Sequence, residues 1–546
     1  MPTAHTDRFV LDRLPLAAAL PHFRFDAPHL QYPERLNAAT VLLATGRPDA
    51  VALRWPGGAW TYAELRAVTA QAAGALRALG LPSGGRVLLR GWNGPMLCAL
   101  WLATLQVGAV AVVTMPMLRA RELTFIIRKT RPAVCVAEAG LGSELAMALE
   151  SAGHDASPPL AYSPDGAGAS EFDHLLRGQP PAGGALETFA NDPALIAFTS
   201  GTTGDPKATV HLHRDVLAIA DCFPRDVLTT RTDDVFLCSA PMGFTFGLGG
   251  HLVFPLRYGA SAILLPQASP DRMFEAMLEH RPTIVMTAPT AYRAMTARAS
   301  EVDLRHVRRF VSAGEHLPAG SWQNWKDATG AAIVNGIGAT EMLHIFASTN
   351  PDRDPPGATG RAVAGYDVQV VDDDLRPTAP GEVGQLAVRG PTGCRYLEDD
   401  RQARYVRGGW NITGDSYAMD EAGCLWFQGR ADDMIVSSGY NISGREVEEA
   451  ILRHDAVAEC AVVAAPDTDR GTIVKAYVVA APGHVADATL MRSIQDFVKA
   501  DIAPYKYPRA VEFLPTLPRN ASGKVQRFVL RESSDMASSR RGAEDP

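Results

Sequence analysis

Residues 194–215, ALIAFTSGTTGDPKATVHLHRD, place a short apolar run directly before a loop rich in glycine, serine and threonine. The apolar run predicts a buried strand. The loop, residues 199–207, offers hydroxyls, backbone N–H groups and a lysine, which suit the oxygens of a polyphosphate. It is not the P-loop of nucleoside triphosphatases, because Lys207 follows Pro206 and precedes Ala208 instead of a serine or threonine. The stretch therefore predicts either another kind of phosphate loop or an ordinary polar turn.

Length and composition exclude several classes of protein. The 546 residues exceed what one hydrophobic core can organise, so at least two domains are expected. A hydrophobic content of 47% and a charged content of 21% are typical of a globular protein, and a net charge of −8 argues against nucleic-acid binding. Seven scattered cysteines without a C-x-x-C pair, and the lack of an apolar leader, favour a cytoplasmic protein.

One apolar stretch, residues 96–115, is almost long enough to span a membrane. Gln106 and Gly108 divide it into a helix-length piece and a β-branched, strand-length piece. Together with the apolar residues 85–92 before it, the stretch predicts strand, helix and strand buried in an α/β layer. No membrane partner is expected.

Strands and helices alternate in the first part of the chain. Thr61 and Glu64 have the spacing of a capping box, and the helix they begin is predicted to end at Gly80. Ligands of α/β proteins gather at the carboxyl ends of strands. Three further apolar strands, each followed by a glycine- or proline-marked loop, are therefore expected to converge with the loop at Ser200 on one site; they lie in residues 282–289, 308–318 and 331–342.

The pattern of apolar and polar residues changes in the second part of the chain. Residues 357–430 alternate at period two between turn signals, which predicts a β-rich subdomain, with a hairpin turn at 420–423. A compact unit of helices and strands follows, and we place the boundary at Ala431–Asp432. The predicted fold class is multidomain α/β: a large N-terminal domain of mixed α/β layers (1–431) and a small C-terminal α+β domain (432–546).

Five ordered motifs resemble the adenylate-forming superfamily, which includes acyl- and aryl-CoA synthetases, nonribosomal adenylation domains and firefly luciferase. The resemblance covers nearly the full chain; the motifs are TSGTTGDPKA (199–208), GIGATEM (336–342), TGD (413–415), GRADDMIVSSGYNIS (429–443) and PRNASGKVQR (518–527). Within that superfamily, residues 211–228, 244–250, 287–295 and 338–348 look most like 2-aminobenzoate–CoA and benzoate–CoA ligases.

The resemblance implies a two-step reaction. A carboxylate attacks the α-phosphate of ATP, giving an acyl-adenylate and pyrophosphate, and the thiol of coenzyme A then displaces AMP. The implied cofactors are ATP, Mg²⁺ and coenzyme A, and the implied partner is an aromatic acid, in aromatic acid degradation. A monomer or homodimer is expected.

The same resemblance assigns the nucleotide site. The phosphate loop comprises Thr199, Ser200, Gly201, Thr202, Thr203, Gly204 and Lys207. Adenine is expected beside Ala313, Gly314, Glu315, Asn335, Gly336, Ile337 and Gly338, where Ile337 replaces the aromatic residue of many relatives. Asp415 is expected to accept hydrogen bonds from the ribose hydroxyls, with Arg430 and Phe427 on the other side.

Three residues are implied in catalysis. Glu341 is the expected Mg²⁺ ligand, since this cation is commonly held by one or two carboxylates together with phosphate oxygens, and Thr340 is expected near the α-phosphate. Lys524 is expected to neutralise charge during adenylation.

Asp432 matches a hinge about which the small, mobile C-terminal domain rotates, and Ser438, Gly439 and Tyr440 would then line a coenzyme A tunnel.

The positions that line the aryl pocket of benzoate-type ligases are occupied in this chain by Phe244, Thr245, Phe246 and His344. Aromatic walls suit a flat ring, and the Thr245 hydroxyl suits an ortho amino or hydroxyl group. His344 either contacts the substrate or is a packed histidine. His211 and His213 have no third ligand at useful spacing, so a metal there is not expected.

Three alternatives remain open. The chain could load an aryl acid onto a carrier protein, activate a medium-chain fatty acid, or be a non-catalytic nucleotide-binding relative. The last is disfavoured because Glu341, Asp415 and Lys524 are all present.

Overall fold

The computed structural model describes residues 2–154, 158–199, 206–430, 434–467, 470–518, 525, 527 and 529–534. Two large sheets, a five-stranded antiparallel sheet and a small C-terminal domain make up the molecule. The predicted multidomain α/β class is confirmed.

The first large sheet has six strands in the order β6-β5-β3-β4-β7-β8. These are β3 (Arg86–Arg90), β4 (Val110–Thr114), β5 (Val134–Glu138), β6 (Leu160–Tyr162), β7 (Pro193–Thr199) and β8 (Lys207–Leu212). The pairs are parallel except β7 with β8, which form a hairpin around the glycine-rich loop. The accompanying helices are α2 (Tyr62–Ala78), α3 (Pro95–Gln106), α4 (Ala120–Thr130), α5 (Gly142–Ala152) and α6 (Glu171–Gly178).

Local sequence signals account for two of these helices. Thr61 caps α2 through the predicted capping box with Glu64. The apolar stretch 96–115 is α3 followed by β4, as predicted, and α3 is buried from Pro95 to Leu105. Among the described residues, no helix combines the length and the apolar character needed to cross a membrane.

The second large sheet has nine strands in the order β15-β14-β13-β12-β11-β9-β10-β1-β2. These are β1 (Val51–Trp55), β2 (Gly58–Thr61), β9 (Val235–Cys238), β10 (Ser261–Ile263), β11 (Ile284–Thr287), β12 (Arg309–Ser312), β13 (Ile333–Gly338), β14 (Ile345–Ser348) and β15 (Arg361–Ala362). Its helices are α1 (Ala38–Ala44), α7 (His213–Phe223), α8 (Thr245–Leu248), α9 (Phe254–Arg257), α10 (Pro270–His280), α11 (Pro289–Ala299) and α12 (Ala319–Thr329). Strands β9 to β13 are parallel, so their carboxyl ends lie on one edge.

The antiparallel sheet comprises β16 (Asp367–Val371), β17 (Val383–Arg389), β18 (Val406–Arg407), β19 (Trp410–Met419) and β20 (Leu425–Arg430), with α13 (Gln402–Tyr405) beside it. The predicted turn at 420–423 joins β19 and β20. Although the alternating pattern begins near residue 357, β15 pairs with β14 of the nine-stranded sheet, because period-two alternation does not specify which sheet a strand joins.

The C-terminal domain has two small sheets. These contain β21 (Met434–Ser437) with β22 (Tyr440–Ser443), and β23 (Val457–Asp467), β24 (Gly471–Ala480) and β25 (Ala510–Phe513). Helices α14 (Gly444–Ile451) and α15 (Ala488–Asp501) pack with these sheets around a core of aliphatic side chains. A 3₁₀ turn, Pro504–Lys506, follows α15.

Candidate active site

A cavity of about 630 Å³ lies at the carboxyl ends of β9, β11, β12 and β13. The residues that follow these strands line it, and Thr199 at the end of β7 does so as well. The prediction that these loops converge is therefore confirmed for the described residues. The strand-end residues are Ser239, Ala240, Thr287, Ala288, Ala313, Gly314, Gly338, Ala339 and Thr340.

One wall of the cavity is formed by the aromatic rings of Phe244, Phe246 and His344, with Thr245 among them. We call this wall the acid pocket, after the role that the sequence predicts for it. The His344 ring stacks on Phe246 with centroids 5.5 Å apart and meets Phe254 edge-on at 4.4 Å. His344 is 2% exposed, and neither ring nitrogen has a hydrogen-bond partner among the described atoms. Burial lowers the pKa of His344 to about 3, so the ring is neutral at physiological pH.

A glycine sets the position of His344. A Cβ on Gly249 would lie 2.5 Å from His344 Cδ2 and 3.0 Å from Phe254 Cζ. Glycine at this position is therefore required for the imidazole to pack beside the helical backbone.

Hydroxyls supply polar groups that sequence reasoning missed. Ser239 Oγ and Thr287 Oγ1 lie 2.6 Å apart at the ends of β9 and β11, and both residues line the cavity. Ser239 directly follows β9 and Thr287 is the last residue of β11, so a position at the end of a strand is the signal that would have identified them.

The segment Thr340–Met342 is a 3₁₀ turn just after β13, and its Glu341 is buried. The hydroxyl of Tyr396 donates to Glu341 Oε1, and Lys207 Nζ lies 5.5 Å from the Tyr396 ring centroid. Burial, followed by the charge of Glu341, raises the pKa of Tyr396 far above its usual range, so the phenol remains a donor. The predicted Mg²⁺ ligand and phosphate-loop lysine thus lie on two sides of one tyrosine, which sequence reasoning did not find.

A second buried network orients the same turn. His211 Nε2 donates to the carbonyl oxygen of Thr340 at 2.8 Å, and its Nδ1 lies 3.8 Å from Asp215. Arg395 Nη1 donates to the same carboxylate oxygen, Asp215 Oδ2, at 2.6 Å. Although burial alone raises it, the pKa of Asp215 falls to about 2 because Arg395 and His211 favour the carboxylate. The hydrogen bond of His211 therefore positions Thr340. The described residues contain no cluster of three or more potential metal-ligating side chains.

The predicted adenine segments lie at the ends of β12 and β13. Gly314 has φ +90°, and Glu315 Oε2 accepts a hydrogen bond of 2.7 Å from Thr290 Oγ1. Asn335 donates its side-chain N–H to Ala358 O at 2.8 Å, which braces β13. Gly336 and Ile337 continue β13, where they pair with Ser348 and Ala347, and Gly338 borders the cavity.

The predicted ribose residues are neighbours in the antiparallel sheet. Asp415 on β19 pairs with Arg430 on β20, whose side chain is outside the described atoms. Phe427 stacks on His316 at 5.3 Å and meets Tyr417 edge-on at 5.4 Å. The aromatic group beside the predicted ribose position is thus larger than the sequence indicated.

The C-terminal domain contributes Ser438, Gly439 and Tyr440 to the cavity wall. Gly439 N–H donates to Glu315 Oε1 of the large domain. The Tyr440 ring lies 5.7 Å from Phe244, and Ser438 Oγ accepts from Arg470 at 3.0 Å. The three residues predicted to line a coenzyme A tunnel therefore face the acid pocket.

Several predicted residues lie outside the described part of the chain. These are Ser200, Gly201, Thr202, Thr203, Gly204, Asp432 and Lys524. The two ends of the glycine-rich loop are described, since Thr199 pairs with Lys207 across β7 and β8.

Comparison with known proteins agrees with this geometry. The AMP-binding enzyme family model matches residues 43–395, and the model of the AMP-binding enzyme C-terminal domain matches residues 446–524. A benzoate–CoA ligase of Thauera aromatica is 34% identical over 93% of this chain and 98% of its own length. A 3-hydroxybenzoate–CoA ligase of Aromatoleum sp. (strain CIB) is 33% identical over 91% of this chain and 97% of its own.

Solved structures show the same likeness. The crystal structure of an anthranilate CoA ligase in complex with anthranoyl-AMP is 33% identical, covers 94% of this chain and all of its own, and superposes with a TM-score of 0.71. The resemblance inferred from five short motifs is confirmed over nearly the whole length. The chain belongs to the AMP-binding enzyme family.

Proposed function

We propose that this protein is an ATP-dependent aryl-CoA ligase, which activates an aromatic carboxylate as its adenylate and then transfers the acyl group to coenzyme A. One observation carries the proposal: a single cavity brings together an aromatic pocket, the strand ends beside Glu341 and the C-terminal loop 438–440. Its relatives among benzoate–CoA and hydroxybenzoate–CoA ligases support aryl-CoA ligase activity. A pocket this apolar, with a few convergent polar groups, suits a flat acid.

In the first step, the carboxylate oxygen attacks the α-phosphorus of ATP and pyrophosphate leaves. Thr340, positioned by His211, would bind near the α-phosphate, and Lys207 and the loop before it would bind the leaving phosphates. Lys524 would neutralise charge on the oxygens around phosphorus, and removing such a contact costs about 10²–10³ in rate.

The donor chemistry at Glu341 fits Mg²⁺. The Glu341 carboxylate, buried just after β13, supplies one hard oxygen ligand. The described residues contain no cluster of three or more side chains that could hold a metal ion by themselves. A magnesium ion shared with phosphate oxygens needs few protein carboxylates. When bound, it would supply charge neutralisation between the phosphates; Tyr396 orients the carboxylate for that role.

In the second step, the thiol attacks the acyl carbon and AMP leaves. Loop 438–440 would border the path of the thiol, because it faces the acid pocket across the cavity. We also propose that the domains meet at residues 431/432 and that Asp432 is the hinge between the orientations serving the two steps.

The acid we propose is a benzoate with an ortho amino or hydroxyl group. His344 and Phe246 form a flat, uncharged wall, and Thr245 stands at the start of α8 on the same cavity. The neutral imidazole of His344, whose nitrogens have no well-formed hydrogen bond to the described residues, is able to accept a hydrogen bond from such a substituent or donate one to it.

ATP–pyrophosphate exchange across benzoates, cinnamates and short fatty acids tests the first step. We expect exchange with benzoate and 2-aminobenzoate and little with fatty acids. Thioester formation is then measured with free coenzyme A and with a pantetheine-bearing carrier protein. Exchange with no aromatic acid would contradict the proposed activity, and thioester on the carrier alone would make the protein a carrier-loading enzyme.

A further inference from the structure

A buried ionic cluster joins the two domains beside the cavity. Lys506 Nζ donates to Glu122 Oε1 at 2.5 Å and to Glu446 Oε1 at 2.8 Å. The three side chains are 6%, 5% and 9% exposed. We call Lys506, Glu122 and Glu446 the domain seam.

The two carboxylates of the seam come from different domains. Glu446 lies on α14, in the same C-terminal domain as Lys506, whereas Glu122 lies on α4 of the large domain, 384 residues from Lys506 in sequence. Glu122 Oε2 also accepts the N–H of Arg119, which fixes the carboxylate at the first turn of α4. The Lys506–Glu122 bond therefore joins the C-terminal domain to the large domain in the orientation seen here.

Further charged side chains pair beside the seam. Arg121 of α4 reaches Asp501 of α15 at 3.5 Å, and Asp501 also binds Arg453. Arg121 and Asp501 thus make a second ionic contact between the two domains, beside the seam. Burial raises the pKa of Glu446 and Lys506 opposes that effect, as expected where a carboxylate depends on its cation.

Separation of the domains changes the pairing in a defined way. Lys506 would keep Glu446 and lose Glu122, while Glu122 would keep its backbone donor and gain water. An exposed pair of this kind contributes little, but breaking one partner of a buried pair costs much more. Separating the domains at the seam is therefore expected to cost free energy through loss of the Lys506–Glu122 bond.

The orientation seen here is the one that places loop 438–440 in the cavity. We propose that the Lys506–Glu122 contact holds the C-terminal domain in the orientation used for thioester formation, so that Glu122 and Lys506 are positioning residues for the second step. The assignment of steps rests on the proposed aryl-CoA ligase activity, whereas the contact as a lock on domain orientation does not.

Two isosteric variants separate this role from simple stability. Glu122→Gln weakens the contact between domains, and Glu446→Gln weakens the contact within one domain, with the same lysine as partner. We expect Glu122→Gln to slow single-turnover transfer from enzyme-bound adenylate to coenzyme A at least tenfold, with ATP–pyrophosphate exchange within twofold of the unmodified protein. Glu446→Gln should change both half-reactions by the same factor.

A double-variant cycle tests whether Glu122 acts through Lys506. If it does, Glu122→Gln combined with Lys506→Met slows transfer no more than Lys506→Met alone. Independent, multiplicative effects would overturn the proposal by pointing to a direct contact of Glu122 with coenzyme A. Asp496→Asn, which removes an exposed pair with Lys499 inside the C-terminal domain, is the matched control and should leave both steps unchanged.

Hydrogen–deuterium exchange reads the contact without turnover. Residues 120–130 and 504–507 should exchange faster in Glu122→Gln and remain as in the unmodified protein in Asp496→Asn. Equal losses in both half-reactions, or unchanged exchange in these segments, would overturn the proposal. Failure of all aromatic acids in the unmodified protein would instead remove the proposed function, and the exchange result would still decide whether the contact holds the domains together.

Discussion

The acid pocket lines the same cavity as Lys506 and Glu122 of the domain seam, but the hydrogen bonding of the buried polar groups differs between the two regions. In the acid pocket, neither nitrogen of buried His344 makes a well-formed hydrogen bond to any atom in the described part of the chain. In the seam, Lys506 binds two carboxylates at 2.5 and 2.8 Å. Unpaired buried polar groups are costly unless a ligand satisfies them, whereas a complete ionic cluster fixes an arrangement of the chain. This contrast agrees with the two proposals, that the pocket receives the acid and that the seam holds one domain orientation.

The largest expected effect on kcat/KM comes from adding a methyl group that clashes with a wall of the acid pocket. In Gly249→Ala, the new methyl would lie 2.5 Å from His344 Cδ2, so His344 would have to shift, which we expect to disturb the proposed acid site. Overpacking of a buried site costs about 1–3 kcal/mol, or about 10–10² in kcat/KM for the acid in pyrophosphate exchange. Gly320→Ala on α12, where a Cβ meets nothing within 4 Å, is the control and should retain full activity. Equal activity in both variants would show that His344 does not border the acid.

The next effect is expected where loop 438–440 meets the large domain. Gly439 has φ +81°, and a Cβ there would lie 3.3 Å from Ala288 Cβ. Alanine in this left-handed conformation costs roughly 1–2 kcal/mol, so Gly439→Ala should slow thioester formation about tenfold and spare adenylation. Gly483→Ala has a similar φ of +89° and nothing within 4 Å, and it should change neither step. A fall in pyrophosphate exchange as large as that in transfer would contradict the assignment of the loop to the second step.

A smaller loss is expected at the polar contact that supports this loop. Thr290 Oγ1 donates to Glu315 Oε2, and Glu315 in turn accepts the Gly439 N–H. Thr290→Val removes one hydrogen bond from a carboxylate whose pKa burial already raises, at a cost of about 1–2 kcal/mol. Transfer to coenzyme A should slow about fivefold, measured by single turnover. Thr296→Val on the same helix, whose hydroxyl binds Tyr292 O, should leave the rate of transfer unaltered.

The pocket and the seam also differ in how far the sequence predicted them. Phe244, Phe246 and His344 were found because a family motif carries them, and the strand ends were found because apolar runs stop at glycine or proline. Glu122 and Lys506 have no such signal, since their contact spans 384 positions and depends on how two domains are oriented. The His211–Thr340 bond, across 129 positions, was missed for the same reason. Local patterns specify elements and their ends, but not pairings that only the assembled fold creates.

A finer test of the acid pocket concerns its hydroxyl. If Thr245 recognises an ortho substituent, Thr245→Ala should raise KM for 2-aminobenzoate about threefold to fivefold and leave KM for benzoate unchanged, since one hydrogen bond is worth about 1 kcal/mol. Pyrophosphate exchange with the two acids measures the ratio. Equal use of both acids by the unmodified protein, with no change in Thr245→Ala, would remove the ortho-substituted acid from the proposal.

The last prediction concerns pH, where we expect His344 to contribute no pH dependence to KM for the acid. Because burial lowers the pKa of this imidazole to about 3, below the ordinary value of 6.5, the ring stays neutral from pH 6 to pH 9. Were it protonated to hold the carboxylate, affinity for the acid would fall as pH rises through about 6.5. We expect the ratio of KM for benzoate between the unmodified protein and His344→Phe to be constant over this range, measured by pyrophosphate exchange. A ratio that changes about tenfold would mean that His344 carries a charge, and that the acid pocket resembles the seam after all.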